Sequence, residues 1–364
     1  MSLVVLVVNP GSTSTKLALW GEAGCLRQEE LAHDPAEIAT ILRVADQLPT
    51  RLAAVRAFLA AAGEPAFAAI VGRGGPLRPL EGGSYPVDDA MATDLASARY
   101  GEHASLLGGL IARDLAAERG LPAFVVDPVS VDELDPVARL SGLPEIERLG
   151  RSHALSLKAV SRLAAAELGR PLAATRFAAA HLGGGISVAA LRGGRIVDVN
   201  DALLGMGPFT PYRAGALPLR GVLDLAFAAN TSRGQVEKKL RAESGLYAYL
   251  GTGDLIEVEA RIAAGDERAA AVFAAMAYQI AKELGAVAAV LALRLDGVIL
   301  TGGMSRSALL VNRLREQVGA LAPFFVYPGE REMEALALGA LRVLRGEEAP
   351  RSYAPLEAGL GRRP

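Results

Sequence analysis

Only one of the 364 residues is a cysteine, Cys25. That excludes a disulfide framework and a cysteine-built metal site. Aromatic residues make up 5% of the chain although 51% of it is hydrophobic. Ala, Leu and Val must therefore carry the core, with helices packed closely on sheets. Charge of neither sign accumulates: 38 Lys and Arg face 40 Asp and Glu, a net charge of −2 with no dense block. This argues against nucleic acid or a membrane surface as a partner. No apolar run reads as a membrane span, because the most apolar stretch, 269–293, is interrupted by Gln279, Lys282 and Glu283 and reads as a buried core helix or helix pair. No basic segment precedes the first apolar run, so no secretory signal is expected. These absences leave a soluble, cytoplasmic α/β protein, long enough for two domains.

What is present is concentrated first at the N-terminus. Val4, Val5, Leu6, Val7 and Val8 make a short buried strand. Asn9-Pro10-Gly11 breaks it, since Pro removes a donor and Gly admits positive φ. Alternation resumes over 14–20 as a second strand. The turn between holds Ser12, Thr13, Ser14, Thr15 and Lys16 beside Asn9, more donors than a plain hairpin needs. Backbone amides, hydroxyls and a cation together suit an anion, phosphate above all. A Walker A loop is excluded, because Thr15 precedes Lys16, Leu17 follows it and no helix opens there.

Further along, helical spacing covers 34–62, with Pro49 interrupting or starting a helix, and 88–100, 103–119 and 154–168, with loop over 134–151. Strands are expected at 66–71, 120–126, 177–180, 186–191, 195–199, 298–300 and 324–326, and helices from Ser307 and over 333–344. The strand–Asn9-Pro10-Gly11–strand pattern is echoed by strand–His181-Leu182-Gly183–strand. Ile70-Val71-Gly72-Arg73-Gly74-Gly75 is likewise echoed by Ile299-Leu300-Thr301-Gly302-Gly303. A duplicated α/β domain would leave such echoes, with ligands taken in a cleft between the halves.

These stretches, with Gly101-Glu102-His103-Ala104-Ser105, His153-Ala154-Leu155, Gly207-Pro208-Phe209-Thr210-Pro211 and Pro328-Gly329-Glu330-Arg331-Glu332-Met333, resemble in order the acetate/butyrate kinase family. That family sits within the superfamily of acetate kinases, sugar kinases, heat-shock proteins and actin; butyrate and branched-chain acid kinases are the closer match. The resemblance implies two duplicated actin-like (ribonuclease H-like) domains flanking a cleft. The first would span 1–155, completed by a C-terminal helix at about 336–364, and the second, nucleotide-binding, 156–335. It implies ATP and Mg²⁺ as cofactors, transfer of the γ-phosphoryl group to a short-chain carboxylate, and a homodimer or a dimer-based higher oligomer.

A carboxylate nucleophile is already anionic, so catalysis reduces to positioning and charge neutralisation. Arg73, set among glycines at a strand end, presents a planar fork to a carboxylate or phosphoryl oxygen. The resemblance adds Arg213, with Arg220 open as an alternative, and His153 as a donor to the transferring group. Asp127, closing a strand, either orients an arginine or a metal-bound water or caps the strand end. The resemblance makes Asn9 and Glu332 the magnesium anchors, directly or through water, with Glu330 and Glu334 open in place of Glu332. Phosphates would meet Ser12, Ser14 and Lys16 and the His181, Gly183, Gly184, Gly185 turn; Gly302, Gly303 and Met304 would lie beside adenosine. His103 is a further family-matched histidine. Two rivals stand beside this reading: a superfamily kinase acting on a hydroxyl, with Asp127 as base, and a non-catalytic ATP switch.

Overall fold

The computed structural model describes residues 3–353, apart from the side chains of 37 and 39. It divides into two compact units, the first running through Asp132 and resuming at Arg331, the second Glu133–Glu330.

In the first unit the Val-rich run forms β1 (Val4–Pro10), buried from Val5 onward as a central strand must be. It pairs antiparallel with β2 (Ser14–Gly21), Asn9 opposite Lys16 and Pro10 opposite Thr15. Next comes β3 (Gly24–Ala32) on the outer side of β2. On the other side β1 pairs in parallel with β4 (Ala69–Gly72), and β5 (Ser84–Pro86) and β6 (Ala123–Val126) complete the order β3-β2-β1-β4-β6-β5. The helix Leu106–Arg119 packs on β4 so closely that a Cβ on Gly72 would lie 1.9 Å from the Gly108 carbonyl oxygen. The helix Glu332–Leu344 lies on the same sheet and buries Met333, Leu336, Ala337, Ala340 and Leu341, one apolar stripe at helical spacing.

The second unit repeats the pattern. β7 (Arg176–Leu182) pairs antiparallel with β8 (Ile186–Arg192), which pairs with β9 (Arg195–Val199). β10 (Gly297–Gly302) joins β7 in parallel and β11 (Phe324–Pro328) joins β10, giving β11-β10-β7-β8-β9. Strand for strand this is β6-β4-β1-β2-β3 of the first unit, the duplication that the echoes implied. The stretch at 269–293 is a single core helix, Glu267–Val290. It buries Phe273, Met276, Ile280 and Leu284, and its polar breaks lie off that stripe.

Several boundaries differ from the sequence expectation. The segment 133–155, expected in the first domain, belongs to the second unit. Glu133 receives two hydrogen bonds from Lys158 Nζ, at 3.1 and 3.0 Å, and one from the Ile196 N–H at 2.8 Å. Within 34–62, Pro49 lies in the first turn of the helix Leu48–Ala61, the helix start that it was expected to mark, and Pro35–Thr40 and a 3-10 turn at Val44–Gln47 precede it. The helix expected from 103 starts at Leu106, because the Ser105 N–H turns back to His103 Nδ1 at 3.1 Å. The C-terminal helix begins at Glu332 and ends at Leu344; the expectation beyond residue 353 lies outside the described residues. A one-turn helix, Pro136–Arg139, sits in the expected loop.

The Lys158–Glu133 pair yields a stability prediction. Both side chains are almost fully buried, and removing one partner leaves a buried charge without its counter-ion, a cost of about 3–5 kcal/mol. Lys158→Met should lower unfolding stability in urea by that amount. A loss under about 1 kcal/mol would contradict the assignment.

Candidate active site

The candidate residues gather into two groups, one within each unit. In the first, Asn9 ends β1 and Glu332 opens the C-terminal helix, where the helix dipole favours a carboxylate. Asn9 Nδ2 donates to Glu332 Oε2 at 2.9 Å, and Arg73 Nη1 donates to the same oxygen. Arg73 is placed by backbone: its N–H donates to the Val8 carbonyl at 2.9 Å, and a Cβ on Gly108 would lie 2.4 Å from its carbonyl oxygen. A helix and a strand thus meet through two glycines, with the arginine at the junction. Glu332, not its neighbours, joins Asn9: Glu334 pairs with Arg331 at 2.9 Å, and Glu330 is exposed.

His103 lies in the electrostatic reach of both Arg73 and Glu332. Burial, then Arg73, push its pKa below the ordinary 6.5, with Glu332 opposing. Its Nδ1 accepts the Ser105 N–H, which fits a neutral ring carrying its proton on Nε2.

For magnesium the chemistry of the donors decides the fit. Glu332 brings one carboxylate, already shared by Arg73 and the Asn9 amide. Among the described residues no cluster of three His, Cys, Asp or Glu could hold a metal. That set fits an ion held mainly by phosphate and water, with Asn9 and Glu332 in support, and does not fit a protein-only cage.

The turn beyond Asn9 exposes Ser12 and half-exposes Ser14 and Lys16. Ser14 Oγ donates to Glu30 Oε1 at 2.7 Å. Arg51, which the sequence reading passed over, fills the inner side of this turn. Asp127 stands apart in character. Its carboxylate accepts the Gly83 N–H at 2.7 Å and its own N–H donates to the Gly83 carbonyl at 3.0 Å. Those bonds tie a loop to the end of β6.

In the second unit, Ser187 lies opposite His181 in the β7–β8 register. Fully buried, it stands 2.8 Å from His153 Nδ1 and accepts the His153 N–H at 3.2 Å. The result is a stacked pair: the His153 and His181 rings are 4.0 Å apart and 8° from parallel. Gly185 sits under this pair, since a Cβ there would come 2.2 Å from Arg213 Nη1 and 3.3 Å from the His153 ring. Gly184 accepts from Thr210 Oγ1 at 2.8 Å, and Thr210 Oγ1 also accepts the Arg213 N–H at 3.0 Å. Arg213 Nη1 donates to the Ala202 carbonyl. Its pKa is lowered by burial and then by Arg241, with Asp201 opposing. Arg220 is exposed on the helix Leu219–Ala226, so Arg213 is the arginine at the glycine turn. Sequence reasoning assigned no contact to Ser187 and took Thr210 only as part of the 207–211 motif; alternation along β8 marked Ser187 as inward-facing, but only pairing shows what it touches.

At the end of β10, Gly302 has φ +90°, and a Cβ there would lie 2.4 Å from the Leu182 carbonyl oxygen. Gly303 and Gly184 have open space where a side chain would stand. Met304 is buried.

Two mixed sheets with one repeated strand order, each ending in glycine turns that carry histidine or arginine, define a duplicated actin-like α/β protein. The model of the acetokinase family matches residues 144–326, just over half of the chain, and the protein belongs to that family. Among solved structures, the fold is similar to the acetate kinase of Porphyromonas gingivalis, at 20% identity and a TM-score of 0.78 over 94% of this chain and 100% of that one. It is also similar to the acetate kinase of Entamoeba histolytica, at 16% identity and a TM-score of 0.74 over 93% and 98%. A propionate kinase from Francisella tularensis subsp. tularensis matches at 19% identity and a TM-score of 0.71, also over 93% and 98%.

The depressed pKa of His103 sets a sign. Below the unfolded value near 6.5 the unfolded chain binds the proton more readily. The stability contributed is therefore full above that pH and is lost as pH falls through it toward the lower folded value. Ring ¹⁵N titration should place the His103 midpoint below 6.5; a midpoint at or above it would contradict the environment described.

Proposed function

We propose that the protein transfers the γ-phosphoryl group of ATP to a short-chain carboxylate, reversibly, giving an acyl phosphate and ADP. The observation that carries this reading is Arg73, held between Gly72 and Gly74 by the backbone of a neighbouring helix and donating to Glu332, whose same oxygen also accepts from Asn9. A guanidinium without bulky neighbours in sequence offers two parallel donors to a carboxylate or phosphoryl oxygen. An incoming anion competes with Glu332 for it. The carboxylate attacks phosphorus as an anion, so no residue has to remove a proton from it.

His153 and Arg213, fixed by Ser187 and Thr210, donate to oxygens of the transferring group as its charge spreads. The exposed amides of 12–13, with Lys16, and the His181–Gly185 turn receive phosphate oxygens, and Gly302, Gly303 and Met304 stand by the adenosine. When bound, Mg²⁺ neutralises phosphate charge; Asn9 and Glu332 would hold it through water. Among the described residues no helix is long and apolar enough to cross a membrane. The exposed Leu219, Leu223 and Phe227 supply apolar surface for a homodimer.

The preferred acid in this reading has four carbons, straight or branched, on the strength of the motif pattern. Acetate or propionate is the rival, and the names of the structural neighbours favour it. One methylene in an apolar slot is worth about 1–3 kcal/mol, or about 10–200-fold in specificity. Butyrate should therefore exceed acetate clearly in kcat/KM at fixed ATP and Mg²⁺. Acetate equal or better would move the assignment to the rival while leaving carboxylate kinase activity in place.

Arg73→Ala should lower turnover about 10²–10³-fold, the cost of losing a transition-state donor. Turnover within a few-fold of the parent would remove Arg73 from the mechanism.

A further inference from the structure

Arg51 is completely buried on the helix Leu48–Ala61. Buried arginines are ordinarily matched by a carboxylate, but the hydrogen-bond partners of this one are neutral. Nη1 donates to the Gly11 carbonyl at 2.9 Å, the Ser14 carbonyl at 2.8 Å and Thr15 Oγ1 at 3.0 Å. Nη2 donates to the Ser12 carbonyl at 3.1 Å and to Gln47 Oε1 at 2.9 Å. One guanidinium thus draws three carbonyls of a single turn onto itself. Burial pulls its pKa down from the ordinary arginine value, yet an arginine stays charged.

Peptide geometry turns that grip into an orientation. In a planar trans peptide the C=O and the following N–H point in opposite directions, and among the described residues there is no cis bond. With the Gly11 and Ser12 carbonyls aimed at Arg51, the N–H groups of Ser12 and Thr13 aim away from it, on a stretch where both residues are exposed. Successive amides turned outward make an anion-binding concavity, and a positive charge with no carboxylate partner among the described residues sits directly behind it.

We propose that Arg51 is a positioning residue that holds the 11–15 turn with the Ser12 and Thr13 amides outward for the phosphates of ATP. The inference rests on the kinase reading for the identity of the anion. Its test combines kinetics with a binding measurement that does not need turnover: the amide signals of Ser12 and Thr13 followed by NMR as MgATP is added to the parent, Arg51→Met and Arg51→Lys. In the parent both signals should move. Arg51→Met should raise KM for ATP about ten- to a hundredfold, the size of losing hydrogen bonds to a charged group, with a smaller change in kcat. Arg51→Lys, which keeps the charge but not the fork, should fall between.

A merely structural arginine would lower the melting temperature of both variants and leave KM for ATP at the parent value, and that result would overturn the proposal. So would parent signals that MgATP does not move. If Arg51→Met does not fold, Gln47→Met removes the other anchor of the guanidinium and should raise KM for ATP about two- to fivefold; the parent value there would overturn the proposal equally. Absence of carboxylate-dependent turnover in the parent would count against the kinase reading alone, since the amide titration still reads the role of Arg51.

Discussion

Contact between backbones at the end of one parallel strand governs both units. In the first, β4 ends at Gly72, whose missing side chain admits the Gly108 carbonyl, and Gly108 in turn admits the backbone of Arg73. In the second, the equivalent strand β10 ends at Gly302, which meets the backbone of Leu182 at the end of β7. Any larger residue at Gly72 or Gly302 would force the neighbouring backbone away. These approaches set where Arg73 and the Gly302-Gly303-Met304 turn stand, and so where anions and adenosine would be received.

The candidate groups are then completed by short links between distant segments. Glu332 reaches Asn9 across 323 positions because its helix packs an apolar stripe on the same sheet. His153 is brought onto His181 by Ser187, one register position across a hairpin. Each link is a few hydrogen bonds or a ring stack, and each depends on a core built from Val, Leu, Ile and Ala rather than large rings. Small side chains let helices lie close to the sheets, and close packing holds such sites within the tolerance that catalysis requires.

Much of this was legible in the chain because the signals were strong and local. The Val run, the glycine turns and the long apolar helix each carry their periodicity openly, and the repeated strand–turn–strand pattern foretold the two matching sheets. What was not legible has physical causes. β3, with Arg27, Gln28, Glu29 and Glu30, has an exposed face and none of the hydrophobic density of a central strand. Arg51 sits in an Ala- and Leu-rich helix, where an arginine looks like a solvated charge; its partners are carbonyls, which sequence does not display. The division after Asp132 turned on Glu133 and Lys158, two charges that pattern alone places on a surface. That Arg213 rather than Arg220 lies at the Gly185 turn, and that Glu332 rather than Glu330 or Glu334 meets Asn9, shows only in the folded chain.

The central claim is that an acid's own oxygen receives the phosphoryl group. The direct measurement incubates the protein with ATP, Mg²⁺ and butyrate in the presence of hydroxylamine, which converts an acyl phosphate to a stable hydroxamate, and follows ADP in the same samples. The account predicts hydroxamate and ADP in equal amounts, both absent without the acid. ADP release that is indifferent to every short carboxylate, or that yields no hydroxamate, would contradict it.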